Sequence, residues 1–62
     1  MKIDTKTPEG RKALRLMTVP VSALIAALGL PERYARPDNA YYSRAELCVM
    51  AASAGLSPRD FL

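Results

Sequence analysis

The sequence predicts an all-α fold: a compact bundle of three main short helices with helix-turn-helix corners and no substantial sheet. Three observations predict it. Helix-start signatures stand at Thr7-Pro8-Glu9 and at Ser43-Arg44-Ala45-Glu46. A one-sided apolar period runs through Val21, Leu24, Ile25 and Leu28. One phrase also occurs twice, an Ala-rich apolar run ending in Gly-Leu and followed by a Pro-started polar stretch with one aromatic. The copies read Ala27-Leu28-Gly29-Leu30-Pro31-Glu32-Arg33-Tyr34 and Ser53-Ala54-Gly55-Leu56-Ser57-Pro58-Arg59-Asp60-Phe61. In each, the glycine can take the left-handed conformation that closes a helix, and the leucine can fold back onto the last turn. Proline then suits a first helical turn, where its missing N–H costs nothing.

Taken in order, residues 1–7 show no helical period and read as a flexible basic arm or a short extended piece, and residues 8–62 as a single small helical domain. A hydroxyl cap at Thr7, proline at the first position and an acid near the positive dipole end predict a helix over 8–17. Ala13, Leu14, Leu16 and Met17 are its apolar residues, while Arg11, Lys12 and Arg15 share the other side. Gly10 is expected to weaken it by about 1 kcal/mol relative to alanine. Thr18 or Val19 leads into Pro20 and a second helix over 20–28, the centre of the core. Ala23, Ala26 and Ala27 give that helix a small-residue face on which another helix could sit close.

Residues 31–35 form a short turn, stopped at Arg36-Pro37-Asp38-Asn39, because the residue before proline avoids helical angles and Asp-Asn favours a turn. Serine and glutamate three apart form a capping box that opens a helix over 44–54, with Leu47, Met50, Ala51 and Ala54 as its buried stripe. A last turn begins at 58–62. The predicted core is Leu14, Val21, Leu24, Ile25, Leu28, Leu47, Met50 and Leu56.

Composition bounds the function. A chain of 62 residues buries only about 60% of its unfolded surface, so a few kcal/mol separate folded from unfolded. Half the residues are hydrophobic, too many for a disordered chain. Alanine supplies much of that half, so the core is shallow, and a homodimer or a partner protein that covers more surface is expected. One cysteine and no histidine exclude an internal disulfide, a zinc cluster and the Ser-His or Cys-His nucleophiles. Cys48, inside Leu47-Cys48-Val49-Met50, reads as a small buried thiol in a reducing, cytoplasmic setting. The apolar run from Val19 to Leu30 is broken by Pro20 and Ser22 and is too short to cross a bilayer. It does not suit a secretion signal either. The six Asp and Glu residues are scattered and the three glycines isolated, so no enzyme, cofactor or phosphate-cradling loop is expected.

Charge is unevenly placed. Residues 1–17 hold Lys2, Lys6, Arg11, Lys12 and Arg15 against Asp4 and Glu9, which is 5 − 2 = +3. From residue 18 onward Arg33, Arg36, Arg44 and Arg59 balance Glu32, Asp38, Glu46 and Asp60. The whole excess of +3 lies at the amino end. Such an end suits a polyanion, and it equally suits a solvated face that keeps a small protein soluble.

The stretch from Thr18 to Met50 resembles the small helix-turn-helix proteins of phages and mobile elements, in particular the excisionase-like winged-helix group. The matching residues are Thr18-Val19-Pro20, Ala23 to Leu28, Gly29-Leu30, Pro31-Glu32-Arg33-Tyr34 and Tyr42-Ser43-Arg44-Ala45-Glu46-Leu47. The resemblance covers about half the chain. Pro37 ends the second helix of the motif after about one turn, and Arg36 to Tyr41 are few for a wing. The resemblance implies a weakly specific DNA-binding regulator of transcription or recombination. Arg33 and Arg36 would face base edges or phosphates, while Arg11, Lys12 and Arg15 hold flanking phosphates. In a solvated loop, Arg33 and Arg36 would instead pair with Glu32 and Asp38.

The rival expectation is a small phage-type module that binds and inhibits or adapts a host protein through Tyr34, Tyr41 and Tyr42, since tyrosine is a frequent interface anchor. The same tyrosines could simply close one end of the core.

Overall fold

In the computed structural model the described residues are 3–34 and 42–61. The elements are α1 (Pro8–Leu16), α2 (Val21–Leu28), a 3₁₀ turn at Glu32–Tyr34, α3 (Arg44–Ser53) and a second 3₁₀ turn at Pro58–Asp60. No strand occurs among the described residues. Each predicted helix is present, with ends moved by a residue or so. The Cα radius of gyration is 10.5 Å, close to the roughly 10.6 Å typical of a compact chain this long.

The hydroxyls anticipated as caps are in place. Thr7 Oγ1 accepts from the Gly10 N–H at 3.0 Å, and Ser43 Oγ accepts from the Glu46 N–H at 3.2 Å. Helix α2 starts differently, with Pro20 at its cap and no side-chain bond. Thr18 serves the preceding helix instead, its hydroxyl donating to the Arg15 carbonyl at 2.9 Å.

Both copies of the repeated phrase close a helix in the same way. Gly29 has φ 72° and Gly55 φ 79°. After α2, the Leu30 N–H donates to Ile25 O at 3.1 Å and the Gly29 N–H to Ala26 O at 3.2 Å. After α3, the Leu56 N–H donates to Ala51 O at 3.0 Å and the Gly55 N–H to Ala52 O at 3.1 Å. This is the paired six-to-one and five-to-two pattern of the Schellman motif, and it satisfies carbonyls the helix would leave orphaned. Leu30 and Leu56 are half-buried and pack against the core.

Helix α3 is the central element: α1 and α2 both pack on it. Their packed surfaces form one buried cluster of Ala13, Leu16, Val19, Val21, Leu24, Ile25, Leu47, Cys48, Ala51 and Ala52. Leu16, Leu24 and Leu47 are fully enclosed, each contributing about 1.5–3 kcal/mol by leaving water. Small residues dominate the buried faces of α1 and α3, with Gly10 and Ala13 on one helix and Cys48, Ala51 and Ala52 on the other.

That packing corrects the predicted core. Leu14 is 52% exposed. The buried arc of α1 is centred on Ala13, and Leu14 lies about 100° further round the helix. Ala54 is exposed because α3 ends at Ser53 and the chain is already turning. Ala26 and Ala27 are exposed too, so the small-residue face that packs closely belongs to α1 and α3 rather than to α2. Leu28, Met50 and Leu56 are half-buried rather than central. Val21, Leu24, Ile25 and Leu47 are buried as expected.

Gly10 also departs from expectation. A Cβ built on it would lie 1.5 Å from the Asp4 carbonyl oxygen. That close approach comes from a turn over residues 4–7, where an arm without regular structure was expected. The Thr7 N–H and hydroxyl both donate to Asp4 O, and the Lys6 N–H donates to Asp4 Oδ1 at 2.9 Å. Ile3 packs against the core. The glycine therefore makes room for the turn.

Candidate nucleic-acid interface

The sequence-predicted cations of α1 come together as a group. The buried arc of Gly10, Ala13 and Leu16 turns the opposite face outward, leaving Arg11 and Arg15 exposed and Lys12 half-buried. Beside them lies the second 3₁₀ turn, delivered by the reversal at Gly55. Pro8, Arg11, Lys12, Arg15, Ser57 and Pro58 line a shallow depression of about 270 Å³. An adjoining depression of about 450 Å³ is lined by Arg15, Ser57, Pro58 and Arg59. The described residues lining the two include four cations and no carboxylate.

Arg59 escapes a reading by charge because its sequence neighbour is neutralising: Asp60 follows it. In the structure that acid has a local partner. The Asp60 carboxylate accepts from the Ser57 N–H across its own turn, the reciprocal half of a capping arrangement. The spacing of Ser57 and Asp60 carries that signal, but only the fold reveals which element the arginine faces.

The other predicted residues lie apart. Arg33 is exposed on the Glu32–Tyr34 turn, which packs on α2. Arg36, Tyr41 and the Tyr34 side chain fall outside the described residues. Tyr42 is half-buried and packs against the core.

Arg44 has a structural role that charge counting does not show. It occupies the first position of α3, where a cation opposes its own helix dipole. Its side chain instead reaches the end of α1. Nε donates to the Met17 carbonyl at 2.9 Å, and Nη2 donates to the carbonyls of Met17 and Val19. A positive charge suits that carboxyl-terminal end, and the carbonyls there need donors. One turn further along α3, Cys48 is fully buried. Desolvation pushes its thiol above the ordinary value, with the Arg44 charge pulling partly the other way. The thiol is thus held protonated and enclosed, as befits a packing residue.

No helix among the described residues is long and apolar enough to cross a membrane. No family model, curated protein or solved structure matches this chain.

Proposed function

We propose that this chain binds duplex DNA as a sequence-tolerant or weakly specific regulator, docking through the exposed basic face of α1. The observation that carries the reading is the common outward placement of Arg11, Lys12 and Arg15 on a helix fixed from behind by α3. Cations held on a rigid element suit phosphate binding, which positions a protein on DNA without reading sequence. Limited sequence preference fits the segment after Gly29. A single 3₁₀ turn offers Arg33 as the one described arginine there for a base edge, where a helix-turn-helix protein presents a longer reading helix. The rival, a host-protein module built on tyrosines, is weakened because Tyr42 packs against the core.

Fluorescence anisotropy with a random-sequence duplex at two salt concentrations tests the reading. Wild type should bind, with affinity falling steeply as salt rises. Replacing Arg11, Lys12 and Arg15 together with alanine should weaken binding to every sequence. It should also flatten the log–log salt slope by about 2.7, since each neutralised phosphate accounts for about 0.9. Wild-type protein that fails to bind duplex even at low salt would eliminate the proposal.

A further inference from the structure

Building on that reading of α1, we infer that Arg59 forms the second wall of a groove that seats the sugar–phosphate backbone of one DNA strand, with Arg15 and Arg59 gripping the same phosphate from opposite sides. Arg15 is shared by both depressions, so they continue into one another past the Ser57-Pro58 floor. Arg11 and Lys12 lie along one limb and Arg59 along the other, which makes a row of charge rather than a point. A row suits a repeating polyanion better than a single small anion. The floor is uncharged, and Pro58 presents no N–H. The one acid in the turn, Asp60, accepts from the Ser57 N–H and lines neither depression. Arg59 itself is exposed and can meet a ligand without rearrangement of the core. Two guanidinium forks facing one phosphate supply the paired donors that such an oxyanion accepts best.

The test compares wild type, Arg59→Ala, Arg59→Lys and the double variant Arg15→Ala/Arg59→Ala on one random-sequence duplex across a salt series. Arg59→Ala should weaken binding several-fold at low salt and lower the salt slope by about 0.9, the share of one phosphate. Arg59→Lys should keep the slope and lose part of the affinity, because an ammonium is a point charge rather than a fork. The double variant should weaken binding by less than the product of the two single effects, since both residues serve one phosphate. Wild-type binding with an Arg59→Ala variant of unchanged affinity and slope would overturn the groove and leave the α1 reading standing. Failure of wild type to bind would remove both. Displacement of the duplex by poly-glutamate at equal charge concentration would show a generic acid-binding surface and overturn the phosphate assignment.

Discussion

The corners at Gly29 and Gly55 share a sequence phrase, a left-handed glycine and the same pair of closing hydrogen bonds, yet they present opposite surfaces. At the first, Ser22, Ile25, Ala26, Leu30 and Glu32 line a hollow of about 310 Å³ that is mostly apolar and carries one acid. At the second, the turn after glycine faces α1 and lines a groove with four cations. The aromatic of the second copy, Phe61, packs against the core. A capping phrase therefore dictates how the chain reverses, and the neighbouring helix decides what the reversal displays.

The contrast depends on α1 staying in place, and removing Arg44 should damage it most. Arg44→Ala leaves the Met17 and Val19 carbonyls without their side-chain donor. Charged hydrogen bonds are worth about 1.5–3 kcal/mol each, and urea denaturation should show a destabilisation of about 3 kcal/mol on that scale. Native-state hydrogen exchange should accelerate in α1 before it does in α2. Equal acceleration in the two helices would show that Arg44 is not the fastening of α1.

Gly10→Ala comes next. Helix propensity alone favours the substitution by about 1 kcal/mol. The Asp4 carbonyl occupies the space the new methyl needs, and overpacking of that kind costs about 1–3 kcal/mol. A net decrease in stability is expected, with the turn over residues 4–7 displaced. A stabilised variant would show that the turn is not held against α1 in solution.

The corners themselves can be compared directly. Gly29→Ala and Gly55→Ala each place a side chain in open space but at left-handed angles, at a cost of about 1–2 kcal/mol. The two costs should be alike if the corners are locally equivalent. Affinity for a random-sequence duplex, measured where both variants are folded, should fall for Gly55→Ala and hold for Gly29→Ala, whose corner carries the proposed base contact rather than the phosphate groove.

The smallest effect is the titration of Cys48. Burial raises its folded value above the ordinary 9.0, so the unfolded thiol releases its proton first. The contribution is therefore complete below pH 9.0 and disappears as pH rises through the folded value. Subtracting the Cys48→Ala stability curve from that of wild type should reveal a fall confined to alkaline pH. A flat difference would mean that the thiol is solvated in the folded state.

These contrasts also show where the sequence is readable. Caps, proline positions and glycine reversals act within a few residues, so the helices and both corners are legible almost to the residue. Leu14 and Ala13 are not separable, because apolar residues at 13, 14, 16 and 17 span too wide an arc of a nine-residue helix to say which side faces inward. Size favours the leucine, whereas the close approach of α1 to α3 selects the small residues. The α1 cations are legible as a cluster. Arg59 and Arg44 are not, since Arg44 bonds to a segment distant in the chain, Arg59 lines a depression with the distant Arg15, and each stands beside or near a compensating acid.

The reach from Arg44 to Met17 and Val19 has a kinetic meaning as well. A nine-residue helix is marginal by itself in water, and α1 rests on α3 rather than on its neighbour in sequence. Residues separated by 25 and 27 positions must therefore meet before α1 is fastened. Closing a loop of that size costs entropy that local helix formation cannot repay. The rate-limiting step of folding should accordingly include the docking of α1 on α3, and the basic face becomes rigid only when that step is complete. A nascent chain that has not yet reached residue 44 carries all three α1 cations without the surface that arranges them.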